Sequence, residues 1–406
     1  AAETPVVVFL NYANDGNETA AFEAAIQVAY QLVAGESEDT RRLREGAVIV
    51  INPAHNPESH ERFVAWYNAF AVGSDHPQAL ERSPPWGMST NNNHYQIDLN
   101  RDALGLTQVE NQALAAAVLR WRPQVFVDHH GQTTQFFFPP PVLPVNKSLP
   151  ESTVRWMEIF GRGNARAFDE YGWLYYARDV FDLHYPGYWD SWPALQGAIG
   201  MTYETDGGGS KGLNFRRDDG TILTFRDGIA RHFIASLATT RTAVENREAR
   251  LRDFHDFFRS GMEEGRQGPV RAYALEPGRD PRRAAALVST LMRHGIEVKR
   301  ATSSFRTDAR DHRTGRTARR EFAAGTYLVE MAQPQKRIAD ALLAVEAPLQ
   351  DEFIRDQIAR WSRNARRGDG EAKERYEFYD VTAWSLPLTF GVEAHALGAV
   401  PAVETV

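Results

Sequence analysis

Apolar and polar positions along this chain follow two rhythms, one of strands and one of helices, and the alternation restarts once. Residues 5–10 are short, apolar and β-branched. A polar loop at 11–17 follows, then a stretch at 18–33 whose apolar residues recur at helical spacing. Residues 46–51 (Gly-Ala-Val-Ile-Val-Ile) are continuously apolar, the pattern of a strand buried on both faces. The same reading predicts a helix over 108–121, strands over 124–127 and 198–203, and a long helix over 227–259. Strands separated by helices need crossover connections. The expected fold is therefore α/β: an α/β/α sandwich with a mixed, mainly parallel sheet.

Residues 259–269 are polar and Gly-rich, as a linker would be. Beyond them the alternation resumes, with strands over 270–275, 297–300 and 325–329 and helices over 281–294 and 335–343. The very basic stretch 306–320 reads as a solvated loop. The expected organisation is a first domain over 1–260, a linker over 261–269 and a smaller α/β domain over 270–406. The segment 379–388 (Tyr-Asp-Val-Thr-Ala-Trp-Ser-Leu-Pro-Leu) is specific in look but carries no obvious chemistry. His294 and His312 stand apart from other ligand-type residues, so the second domain is expected to pack or to restrict access rather than react.

Composition narrows the partners. A chain of 406 residues exceeds one ordinary core. A net charge of −7 and a pI near 6.0 give no attraction for nucleic acid or an anionic membrane surface. No apolar run approaches the roughly 20 residues of a membrane span. Cysteine is absent, which excludes disulfides, thiolate metal sites and a cysteine nucleophile. That absence fits a periplasmic or secreted bacterial protein. No signal peptide is visible, and the abrupt start reads as a mature or truncated piece. Composition says nothing of oligomeric state.

The chemistry concentrates in four segments, each at or beside the end of a strand-like run. His130 follows the strand at 124–127, where an imidazole is a good metal ligand, and Asp128 projects to the same face to fix its tautomer. Asp15 and Glu18 are spaced i, i+3 after the strand at 5–10. They read either as a pair of metal-binding carboxylates or as helix-capping groups. Glu204 ends the strand at 198–203 and precedes Thr205-Asp206-Gly207-Gly208-Gly209, a position suited to a general base. Asn100 and Arg101 can grip a carboxylate or an oxyanion, or sit in a surface salt bridge.

Together, in this order, the segments resemble the active site of the zinc metallocarboxypeptidases. Asp15-Gly16-Asn17-Glu18 matches that family's His-x-x-Glu pair with Asp in place of His, and Asn56-Pro57-Glu58-Ser59 matches a turn imperfectly. Asp98-Leu99-Asn100-Arg101, Asp128-His129-His130 and Thr202-Tyr203-Glu204 match well. The overall look is similar to the long bacterial members with an extra C-terminal α/β domain.

The resemblance implies one zinc ion held by Asp15, Glu18 and His130, with Glu204 as the base that activates a water. It implies Asn100 and Arg101 as the grip on the substrate's carboxylate, Arg82 as an electrophilic arginine, and Tyr185 or Tyr188 as a substrate-capping tyrosine. The expected substrate is a peptide or an acylated amino acid cut near a free carboxyl end. Two other readings stay open: a deacylase or amidohydrolase of small acylated amino acids, and a non-catalytic peptide- or glycan-binding protein whose metal site is degenerate because of Asp15.

Overall fold

A computed structural model describes residues 3–70, 91–205, 207, 213–368 and 370–406. Arg82 lies outside the described residues. The chain forms two compact units. The first comprises the described residues of Ala1–Pro141, Glu151–Asp179 and Gly187–Phe254; the second comprises Val142–Pro150, Val180–Pro186 and His255–Val406. Two short segments from the first half of the chain thus pack with the C-terminal part.

The first unit is built on a six-stranded sheet of β1 (Val6–Tyr12), β2 (Ala47–Asn52), β3 (Val125–His130), β4 (Phe136–Phe137), β5 (Tyr175–Tyr176) and β6 (Ile199–Glu204), in the order β2-β1-β3-β6-β4-β5. Its first four strands are parallel, and β4 is antiparallel to β6. Helices α1 (Thr19–Ala34), α2 (Glu38–Gly46), α3 (Pro57–Phe70), α4 (Val109–Trp121), α5 (Glu151–Asp169), α6 (Ser191–Leu195) and α7 (Phe225–Glu245) complete it, with a small hairpin of β7 (Asn214–Arg216) and β8 (Ile222–Thr224). The central strand β3 is buried along its whole length, which explains its unbroken apolar start. This is the expected α/β architecture with a mixed, mainly parallel sheet.

The expected single helix over 227–259 is instead two. α7 ends at Glu245, and α8 (Arg247–Gln267) runs on through most of the expected linker. Its glycines are there for contact, not for flexibility: a Cβ on Gly265 would lie 2.0 Å from the carbonyl oxygen of Met331.

The second unit holds a six-stranded sheet in which every pairing is antiparallel. Its strands are β9 (Ala272–Glu276), β10 (Lys299–Arg300), β11 (Phe305–Asp311), β12 (Thr317–Phe322), β13 (Tyr327–Glu330) and β14 (Glu393–Leu397). Helices α9 (Pro281–Arg293), α10 (Lys336–Leu343), α11 (Asp351–Asn364) and α12 (Leu386–Phe390) accompany them. The stretch 306–320, expected as a loop, is the hairpin β11–β12. Phe305, Ala309 and Phe322 are buried, while Arg306 pairs with its register partner Glu321 across the strands at 2.9 Å.

Candidate metal centre

Strand register assembles the site. Asn52, Asn11, Asp128 and Thr202 are successive partners across β2, β1, β3 and β6, and His130 is the partner of Glu204 two residues further on. Side chains on a strand alternate between faces, so Asp128 and His130 share one face and His129 points to the other. On that other face His129 stacks on Tyr12 at 4.1 Å and meets His232 through an Nδ1–Nδ1 contact of 2.9 Å. Burial, reinforced by the His232 and His130 charges, holds the His129 pKa well below the usual range. The two adjacent histidines therefore play different parts: His129 is a core residue and His130 a site residue.

The loop after β1 supplies the carboxylates. Ala13 adopts a left-handed φ of 65° as the chain leaves the strand. The backbone N–H of Glu18 then donates to the Asp15 carbonyl at 3.1 Å, closing a turn. Glu18 occupies the N-cap position of α1 without making a side-chain capping bond. Its carboxylate turns instead to His130 Nδ1, 3.0 Å away, and Asp15 Oδ2 lies 3.4 Å from the same nitrogen. The Glu18 side chain thus does not cap α1. Gly16 lets the turn lie flat on α3, because a Cβ there would sit 2.2 Å from the His60 backbone nitrogen.

One ligand-type atom from each of Asp15, Glu18 and His130 lies within 4.8 Å of the others. The far nitrogen of His130, Nε2, is 2.7 Å from Asp128 Oδ2. Asp128 in turn accepts from Asn11 Nδ2 at 2.7 Å and Asn14 Nδ2 at 3.2 Å, and Asn52 Nδ2 donates to Asn11 Oδ1 at 2.7 Å. This carboxylate–imidazole pair fixes the ring so that Nδ1 faces Asp15 and Glu18, the arrangement that orients histidine ligands toward a metal.

The electrostatics describe a site short of positive charge. Burial, and then the neighbouring Asp15, raise the Glu18 pKa well above the carboxylate range. Burial pushes Glu204 up to about 8 despite the His130 charge, with Asp15, Asp128 and Asp190 adding to the rise. Burial works against a charged His130, but Asp128, Asp15 and Glu18 overcome it and raise its pKa well above normal. Burial also opposes ionised Asp128, yet His130 and Asn11 hold its pKa below the usual range. Asp15 Oδ1 is buried and makes no hydrogen bond. Several buried carboxylates against one imidazole, with an orphaned oxygen among them, are the donor set a divalent cation requires.

The other expected residues divide. The 98–101 turn lies within electrostatic reach: burial and the Asp15 charge raise the Asp98 pKa, with Arg101 opposing. The Asn100 backbone N–H donates to Asp98 Oδ1 at 2.8 Å. The Arg101 guanidinium lies over the Tyr188 ring at 4.7 Å. Tyr185 belongs to the second unit, where its ring packs edge-on against Trp384 at 5.6 Å. Sequence reasoning missed Asn11, Asn52 and Gln132, and it read Asn14 as a candidate helix cap rather than as a donor to Asp128. Gln132 Nε2 donates to the Glu204 carbonyl at 3.1 Å and so ties the loop after β3 to the end of β6. A cluster of asparagines at the ends of β1 and β2 was the available signal.

Among solved structures, the chain is similar to a metallo-carboxypeptidase from Burkholderia cenocepacia, with 15% identity and a TM-score of 0.41 over 61% of this chain and 58% of that one. It is also similar to a Pseudomonas aeruginosa metallo-carboxypeptidase in complex with (2-guanidinoethylmercapto)succinic acid, with 14% identity and a TM-score of 0.43 over 62% and 59%. A third is the carboxypeptidase A from Helicoverpa armigera, with 15% identity and a TM-score of 0.39 over 62% of each chain. The chain thus spans less than two thirds of the length of each. No family model matches it, and no curated protein does.

Proposed function

We propose that this protein is a metal-dependent hydrolase of the carboxypeptidase class that cleaves a peptide or amide bond near a free carboxyl end. One observation carries the reading. Three ligand atoms converge within 4.8 Å, and a buried glutamate stands opposite the histidine ligand on the adjoining strand.

Asp15, Glu18 and His130 Nδ1 would hold the cation, and zinc is the ion we propose. When bound, it supplies Lewis-acid polarisation of the scissile carbonyl and lowers the pKa of water. Glu204 takes the proton of the attacking water and passes it to the leaving nitrogen, and its raised pKa suits it to both tasks. Asp128 keeps the His130 proton on Nε2. Arg101 and Asn100 receive the substrate's carboxylate, with Tyr188 beside them under the Arg101 guanidinium. Arg82 keeps its proposed role as an electrophilic arginine, Tyr185 that of an alternative capping tyrosine, and export to the periplasm or medium is part of the same reading.

The test is metal analysis of protein purified without chelator, paired with hydrolysis of N-acylated dipeptides by the wild type and Glu204→Gln. We expect about one zinc per chain in both proteins. Turnover should fall by about 10²-fold or more in the variant, since an amide cannot accept the proton. Metal-free protein that gains nothing from added zinc would overturn the reading.

A further inference from the structure

The second unit contains a cavity of about 670 Å³ that none of the metal-site residues lines. Its wall includes His184, one of the most deeply buried histidines of the chain at 2% exposure. The His184 backbone is fixed: its N–H donates to Asp182 Oδ1 at 3.1 Å and its carbonyl accepts from Asn146 Nδ2 at 2.9 Å. The ring meets Trp384 edge-on at 4.9 Å, and the Trp384 indole N–H donates to the Ala341 carbonyl at 2.7 Å. Yet neither ring nitrogen of His184 has a hydrogen-bond partner.

Leaving a buried donor and acceptor unmet is costly, so a ring held in this state is one built to meet a ligand. Burial pushes the imidazole down to about 4. At neutral pH it is therefore uncharged, with one nitrogen donating and the other accepting.

The charged groups around the cavity fall into two sets. Its acids are engaged. Asp311 Oδ1 accepts from the backbone N–H groups of Arg313 and Thr314 at 3.0 and 2.7 Å. Asp340 takes the Tyr273 hydroxyl and Lys336 Nζ, and Glu346 lies 3.9 Å from Arg310. Lys147 and Arg313 are exposed, line the cavity, and have no carboxylate within ion-pair distance among the described residues. Lys147 follows the bridge that pairs Val145 with Leu183, so its segment runs beside that of His184.

We propose that this cavity binds a small organic carboxylate with an amide-bearing body, the class of acylated amino acids and short acylated peptides. The body's carbonyl and N–H would meet the two His184 nitrogens against Trp384, and the carboxylate would meet Lys147 and Arg313. A ligand of this size suits a cavity within the usual range of about 300–1,000 Å³. The inference stands apart from the proposed hydrolase and does not need the metal.

Calorimetric titration of N-acetyl-L-alanyl-L-alanine into the full chain carrying Asp15→Ala, in chelator, tests it. Binding with a Kd of about 1 mM or tighter is expected. Lys147→Glu, an exposed change that spares the fold, should weaken it about tenfold or more, as should His184→Leu. The uncharged N-acetyl-L-alanyl-L-alaninamide should bind about tenfold more weakly than the acid. No binding up to about 10 mM, equal affinity in the Lys147→Glu variant, or affinity lost through Arg101→Ala instead would each overturn the proposal.

Discussion

At the residue scale the site is governed by where protons sit when no cation is bound. Glu204 keeps its proton in the fold up to about pH 8, whereas an ordinary glutamate releases it near 4.5. Between those values the folded state holds a proton that the unfolded chain does not, so stability falls as pH rises. Glu18, also raised, acts in the same direction. The raised His130 stabilises the fold below its ordinary pKa of 6.5, and that contribution is lost as pH climbs through the raised value. All three lower the stability of chelated protein as pH rises, while the buried neutral histidines His129, His184 and His232, with pKa values below the ordinary 6.5, raise it up to about that pH. The site's own share, ~1.4 kcal/mol for each tenfold difference in proton affinity, therefore shows as a net loss between about pH 7 and pH 8. Thermal denaturation in chelator measures this, and Glu204→Gln should flatten part of the slope. Asp128→Ala should cost about 10–100-fold in metal affinity by freeing the His130 ring, measured by competition with a zinc indicator. The candidate ligands Asp15, Glu18 and His130 could be picked out only through the order of the four segments, since each alone also reads as a helix cap or a polar loop residue. The asparagines that hold Asp128 could not, since the pairing across β2, β1 and β3 that brings them together exists only in the register of the sheet.

At the scale of elements, buried parallel strands could be read directly: β1, β3 and β6 emerge as apolar runs because both their faces are covered, whereas β2, expected to be buried on both faces from the same kind of run, is the edge strand, with Ala47 alone of its six residues buried. The hairpin β11–β12 could not, because β12 lies at the sheet edge with five of its six residues exposed. Charged residues suit an edge strand and look like a loop. The end of α8 was hidden by glycines that read as linker but allow close packing on Met331. The turn 15–18 is the element on which the proposed metal site depends most. Gly16→Ala would drive a Cβ into the backbone at the start of α3, costing about 1–3 kcal/mol and displacing Asp15 and Glu18 together. Zinc affinity should fall with stability. Thr224→Ala is the matched control. Thr224 and Asp227 form a capping box at the start of α7, so its loss costs ~1 kcal/mol but leaves the ligands in place. Equal loss of zinc affinity in both variants would show that the turn has no special part.

At the scale of the whole molecule, every group in the candidate metal centre belongs to the first unit, although the segments that make it are spread from residue 11 to residue 204. Among the described residues no helix is long and apolar enough to cross a membrane, in keeping with the polar composition. A ligand that binds only the folded site stabilises it by about 2.7 kcal/mol at a free concentration of 100 times its Kd. Zinc should therefore raise the temperature at which the first unit unfolds. It should also remove the alkaline loss of stability, because the cation takes over the charge balance that protons on Glu18, Glu204 and His130 provide. Scanning calorimetry of the full chain, chelated and zinc-loaded, at about pH 5 and pH 8 checks both effects. The expected result is a zinc-induced rise that is larger at the higher pH and abolished in the Asp15→Ala and Glu18→Ala variants. A rise of the same size at both pH values would mean that zinc displaces no protons at this site. Its affinity would then have to come from residues other than those that hold the extra protons in the metal-free fold.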